Sequence, residues 1–133
     1  MGAFSPDRRE LAAIALGGAA GALLRVWLAT EFTSGDGWPW VTFSVNLSGC
    51  LALSYLVTRL QERLPISTYR RPLLGTGFCG AYTTFSTMQV EILKLIEHHR
   101  FALAGGYAAS SVLLGLLAVA GATAAVRRTR TLV

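Results

Sequence analysis

The chain has 133 residues, of which 53% are apolar and only 14% charged, and its mean hydropathy is +0.49. A soluble domain of this length carries roughly 25% charged residues, so the composition points away from a water-soluble protein and toward a lipid bilayer. The net charge of +5 is carried by basic residues in the polar gaps between apolar runs, a pattern that suits orientation in a membrane and implies no nucleic-acid partner.

Four apolar segments follow one another, at about 11–32, 39–60, 72–97 and 101–126. Each holds about 22–26 residues, or about 33–39 Å of helix at 1.5 Å per residue, enough to cross a ~30 Å hydrocarbon core. The expected fold is an all-α membrane protein with one four-span domain over 1–133. Arg8 and Arg9 before the first run resemble a signal peptide, but Arg25 interrupts the run and three more spans follow, so it is read as a mature span. Gly17 and Gly21 form a GxxxG in that span and predict close helix packing. Arg25 falls on the same face. Two readings of it stand: a side chain snorkelling to the interface, or a positive charge in an aqueous vestibule that collects anions.

A turn signal, SGDG at 34–37, ends the first span, and Trp27, Trp38 and Trp40 surround it as an interfacial aromatic belt would. The second span carries TFSVNLSG (42–49), where Thr42 and Asn46 share a face at i, i+4. Asn46 is either glue between helices or a donor in a pore. In the third span, five of the six residues 82–87 bear a hydroxyl, and Gly75, Gly77 and Gly80 precede them. That combination is compatible with a continuous helix whose hydroxyls bond back to their own carbonyls, or with a helix broken near the bilayer midplane, lining a cavity. Glu91 and Lys94 are assigned to the last turns of this span, and His98 and His99 to its interfacial end. The fourth span is Ala, Leu, Gly and Val with a polar stripe of Tyr107, Ser111 and Gly115 at spacing four. Cys50 and Cys79 lie inside apolar segments and are read as small apolar residues, not as a disulfide framework.

Hydroxyls, one amide, aromatic rings and one Arg make up the donors inside the spans, with no deeply placed carboxylate expected. No nucleophile–base pair, metal-ligand spacing or phosphate loop is present, so an enzyme is not supported. Neutral donors of this kind suit a small anion, whose hydration shell they replace without holding it too tightly, and aromatic ring edges such as that of Phe85 add partial positive charge.

The stretches GGAAGALLR (17–25), GWPWVTFSVNLSG (37–49) and GTGFCGAYTTFSTM (75–88) resemble the Fluc (CrcB) fluoride channels, and the resemblance covers nearly the whole chain. It implies a passive, fluoride-selective channel that exports fluoride across the cell membrane and works as an antiparallel, inverted dimer. By position, Asn46 corresponds to the pore asparagine and Phe85 to the first of two pore phenylalanines. Ser86 and Thr87 with Tyr107 and Ser111 correspond to the polar track, and Arg25 to the vestibule arginine. Gly80 and Thr83 correspond to the helix break whose backbone carbonyls hold a structural Na⁺ at the dimer interface. The chain departs from the family at Met88, which stands at the second pore phenylalanine, and at Gly115, where a small hydroxyl residue is expected.

Charge adds a further expectation. With four spans, Arg8, Arg9, Arg59, Arg63, Arg70, Arg71, Arg127, Arg128 and Arg130 share one side of the membrane, against Lys94 and Arg100 on the other. That bias predicts fixed insertion with both termini cytoplasmic, and so an oppositely oriented paralogue as partner; a homodimer of two inverted copies is the alternative, and it requires insertion in both orientations. Two other functions are compatible with a chain of four short spans. A small multidrug transporter needs an acidic residue deep in a span. A non-conducting partner subunit of the same family would fit Met88 and the charge bias, and differs in failing to conduct fluoride alone.

Overall fold

The computed structural model describes residues 7–35, 37–62 and 69–129. These residues form helices and no strand: α1 (Arg8–Glu31), α2 (Trp40–Glu62), a π-helical segment (Arg71–Cys79), a single turn α3 (Gly80–Tyr82), α4 (Phe85–Glu97) and α5 (Phe101–Arg128). Arg63, Arg130 and Asp36 of the SGDG turn lie outside the described residues. Among the described residues, three helices are long and apolar enough to cross a membrane by length and composition: α1, α2 over Trp40–Leu60, and α5.

Local chemistry explains the boundaries. The Asp7 carboxylate caps α1 by accepting from the Arg9 N–H at 2.9 Å. Pro39 immediately precedes α2, and Pro72 opens the π-segment where a missing N–H leaves no helical bond unmade. At the other end, α4 closes through His99 in the left-handed region (φ 57°), and the Arg100 N–H returns to the Leu95 carbonyl at 2.8 Å. The chain thereby reverses into α5 within three residues.

The third predicted span is assembled from the π-segment, α3 and α4. Between Tyr82 and Phe85 the backbone is extended: Thr83 has ψ 155° and Thr84 has φ −146° and ψ 115°. The π-segment packs along α1 through backbone-to-backbone contact. A Cβ on Gly17 would run into the Leu73 carbonyl oxygen, and one on Gly21 into the Phe78 carbonyl oxygen. The reverse also holds, because a Cβ on Gly77 would come within 2.6 Å of the Ile14 carbonyl. Lipid tails give apolar helices no hydrophobic reason to associate, so such close approach of small residues supplies the van der Waals energy that holds them.

A second packing centre lies between α2, α4 and α5. Met88, Leu95, Ala104 and Tyr107 are buried there, with Trp38 and Phe43 packed against them. Leu16, Leu23, Leu116 and Leu117 point outward and are mostly exposed, an apolar exterior matched to lipid or to another chain.

Candidate functional site

The extended pair Thr83–Thr84 is held by one side chain. Asn46 Nδ2 donates to the Thr84 carbonyl at 2.9 Å, and Asn46 Oδ1 accepts from the Thr84 N–H at 2.8 Å. This two-bond clasp replaces what a continuous helix would supply, because the Thr84 N–H would otherwise donate to the Gly80 carbonyl. Thr84 Oγ1 then caps α4, accepting from the Thr87 N–H at 3.2 Å, a proton that a continuous helix would give to the Thr83 carbonyl. Gly80 and Thr83, the two residues matched to a cation site, are therefore among the four, from Gly80 to Thr83, whose carbonyls lose their helical donors at the break. Carbonyl oxygens of that kind suit a hard cation such as Na⁺. One Nδ2 hydrogen of Asn46 is left over from the clasp.

Hydroxyls surround the break. Thr83 Oγ1 donates to the Cys79 carbonyl at 3.0 Å, Thr84 Oγ1 donates to Thr87 Oγ1 at 2.9 Å, and Ser86 Oγ lies 3.3 Å from Thr84 Oγ1. Ser48 Oγ and the Tyr82 hydroxyl meet at 3.1 Å. Arg25 takes neither of its two expected roles alone. Its Nε donates to the Ala81 carbonyl at 3.1 Å, where α3 ends and its carbonyls need donors. A cation at a helix C-terminus is also favoured by the helix dipole. Arg25 further lines a cleft of about 190 Å³ together with Thr30, Thr42, Thr84 and Thr87.

Glu91 corrects the sequence reading. The sequence places it in the last turns of the third span, with no carboxylate deep inside one. In the structure it sits mid-α4 and its carboxylate is engaged within the bundle. Thr42 Oγ1 donates to Oε1 at 2.6 Å and the Tyr107 hydroxyl donates to Oε2 at 2.7 Å. The tyrosine is fully buried, so this charge-assisted bond carries the cost of burying its hydroxyl. Thr42 lines the Arg25 cleft, whereas Glu91 lines a second cleft of about 420 Å³ with Ser34, Pro39, Lys94 and His98. The Thr42–Glu91 hydrogen bond thus stands between the two clefts, of which the Arg25 cleft is walled mostly by apolar groups, Val26, Ala29, Val41 and Val45 among them. A signal for it existed: Thr42/Asn46 and Thr87/Glu91 are both i, i+4 polar pairs, and antiparallel helices that join Asn46 to Thr84 bring Thr42 to Glu91.

The remaining predicted residues divide. Thr87 joins the Arg25 cleft, and Tyr107 joins Glu91. Met88 is 8% exposed and packed in the apolar centre against Leu95, Ala104 and Tyr107. Phe85 is 71% exposed, and Ser86, exposed as well, is linked to Thr87 through Thr84 Oγ1. Ser111 Oγ and Trp38 Nε1 are buried without a hydrogen-bond partner. Trp38 also departs from the expected belt: Trp27 and Trp40 are exposed, but the Trp38 indole nitrogen faces inward.

Comparison with known proteins places these features in a family. The family model described as CrcB-like protein, camphor resistance, matches residues 12–123. A fluoride-specific ion channel, FluC 1, of Mycolicibacterium paratuberculosis is 58% identical over 126 residues, which cover 93% of this chain and 95% of the relative. FluC 1 of Mycobacterium tuberculosis is 57% identical over 125 residues, with the same coverage. A FluC from a Synechococcus species is 41% identical over 117 residues, 86% of this chain and 90% of the relative. A match running from α1 into α5, with relatives this close over almost their whole length, makes the chain a member of the CrcB-like family.

Proposed function

We propose that the chain is a subunit of a fluoride-selective channel in the cell membrane and that it moves fluoride passively, without catalysis. The observation that carries this reading is the Asn46 clasp on Thr84. It holds two extended residues between α3 and α4 and leaves an amide hydrogen beside a row of hydroxyls. Neutral donors replace the hydration shell of a small anion, while Arg25 supplies positive potential to the neighbouring cleft at no cost in tight binding. The names of the relatives specify fluoride, and the small size and strong acceptor character of that anion suit a path made of O–H and N–H groups.

In this reading the π-segment, α3 and α4 together make a fourth crossing, interrupted near the bilayer midplane, and two subunits pair in inverted orientation. Phe85, exposed in a single chain, then faces the partner and completes a pore there with Ser86. Met88 contributes packing instead of a ring edge. The carbonyls of Gly80 and Thr83 hold a structural Na⁺, which supplies a fixed positive charge at the interface and ties the broken helices together.

The Lys/Arg bias favours an oppositely oriented paralogue over a second copy as the partner, with both termini of this chain in the cytoplasm. Relatives carrying the numbers 1 and 2 in their names fit a division of the family into paired chains. The test is fluoride efflux from liposomes containing this chain alone or with such a partner. Selective efflux that disappears with Asn46→Asp supports the reading, and a chain that releases chloride as fast as fluoride overturns it.

A further inference from the structure

Among the described residues, two buried side-chain polar atoms have no hydrogen-bond partner, Trp38 Nε1 and Ser111 Oγ. Both flank Tyr107. The Trp38 ring meets the Tyr107 ring edge-on, with centroids 5.5 Å apart at 79°, and Ser111 follows Tyr107 by one turn of α5. Tyr107 in turn donates to Glu91, which lines the larger cleft together with Gly37 and Pro39, the two chain neighbours of Trp38. The orphaned atoms therefore belong to residues that adjoin the Tyr107–Glu91 hydrogen bond.

The chemistry of Trp38 narrows what could satisfy it. An indole nitrogen donates and never accepts, so its partner has to be an acceptor and cannot be a cation. Anchoring at the lipid headgroups, the usual role of an interfacial tryptophan, is closed to it because the nitrogen is buried. The ring is also held firmly: besides Tyr107 it packs on Phe43 at 5.5 Å and on Trp40 at 5.9 Å. A rigid, neutral, desolvated donor is the kind of group that strips water from an anion without trapping it.

We infer that the Trp38 indole N–H is a specificity-determining donor for the permeating anion, extending the donor path beyond Tyr107 and Ser111 to a residue on the α1–α2 connection. This rests on the fluoride-channel reading. Trp38 takes fluoride in preference to chloride because a smaller, stronger acceptor gains more from a single fixed N–H.

The chain has three tryptophans, so an assembled sample labelled with ¹⁵N gives three indole N–H resonances, and Trp38→Phe identifies the one that belongs to Trp38. Titration with sodium fluoride is expected to move that resonance downfield, while sodium chloride at the same concentration leaves it in place. An unmoved resonance, or an equal shift with both salts, overturns the inference. In liposomes, Trp38→Phe keeps an aromatic ring but removes the pyrrole half of the indole with its donor, and is expected to lower fluoride efflux about tenfold, as loss of one hydrogen bond to a charged group does. Wild-type efflux together with equal efflux from Trp38→Phe overturns the inference and leaves the channel reading standing. No efflux from the wild-type assembly overturns the channel reading itself, and the titration then decides anion binding at Trp38 independently.

Discussion

Asn46 is the residue whose replacement separates structure from conduction. Its amide makes both bonds to Thr84, at 2.9 and 2.8 Å. Hydrogen bonds between membrane helices contribute about 1–2 kcal/mol each in model systems, so Asn46→Ala is expected to destabilise the fold by about 2–4 kcal/mol. Asn46→Asp acts differently. The carboxylate still accepts from the Thr84 N–H, but it faces the Thr84 carbonyl with an oxygen where a donor was. It also sets a negative charge beside the proposed anion path. Two unit charges 4 Å apart repel by about 4 kcal/mol at an effective dielectric constant of 20, which is about a thousandfold in rate. Fluoride-electrode measurement of efflux from liposomes, paired with thermal unfolding in detergent, reads both quantities. The expectation is that Asp costs less stability than Ala yet lowers efflux about a thousandfold. Efflux from the Asp variant within tenfold of wild type would refute the placement of Asn46 on the path.

Further outcomes follow from the packing and the polar network. Gly21→Ala drives a methyl into the Phe78 carbonyl, whereas Gly18→Ala meets nothing closer than 3.9 Å. Thermal melts should show Gly21→Ala losing about 1–3 kcal/mol or more and Gly18→Ala close to wild type; equal losses would argue against the observed contact of α1 with the π-segment. Glu91→Ala removes the acceptor of a fully buried tyrosine hydroxyl and of Thr42, which is expected to cost about 2–5 kcal/mol. Glu91→Gln keeps an acceptor oxygen and should retain at least half of that, so indistinguishable melts for the two variants would contradict the network. Reporter fusions at the C-terminus, in cells expressing this chain alone, should place it in the cytoplasm, and equal populations in both orientations would remove the case for an oppositely oriented paralogue.

Much of this molecule can be read along the chain. The length of the apolar runs sets the helices, the prolines at 39 and 72 set where they start, and the crowding of hydroxyls after three glycines marks where regular helix stops. What escaped the reading depends on contacts between distant residues. Arg25 reaches the Ala81 carbonyl, 56 positions away, a bond that exists only because the helix ends there. Glu91 lies six residues from the end of α4, so its place along the chain alone resembles that of a terminal charge. Wide π-turns and an extended pair change how far along the bundle each later residue lies, and Glu91 comes level with Thr42. Trp38 next to a turn is, by composition, an interface anchor, and only the packing of its ring on Tyr107 and Phe43 turns the indole nitrogen inward. Phe85 shows the opposite effect: a residue expected to line a pore is exposed when the chain is taken singly, and the proposal that a second subunit covers it is one that sequence spacing alone does not make.

The most direct test of the account is fluoride efflux from liposomes in which this chain is the component varied, alone and beside an oppositely oriented family member. Fast efflux of fluoride but not chloride, lost when Asn46→Asp is introduced into this chain, is the predicted result. Efflux that ignores Asn46→Asp, or that carries chloride equally, would contradict the claim that the Asn46–Thr84 break forms the conduction path.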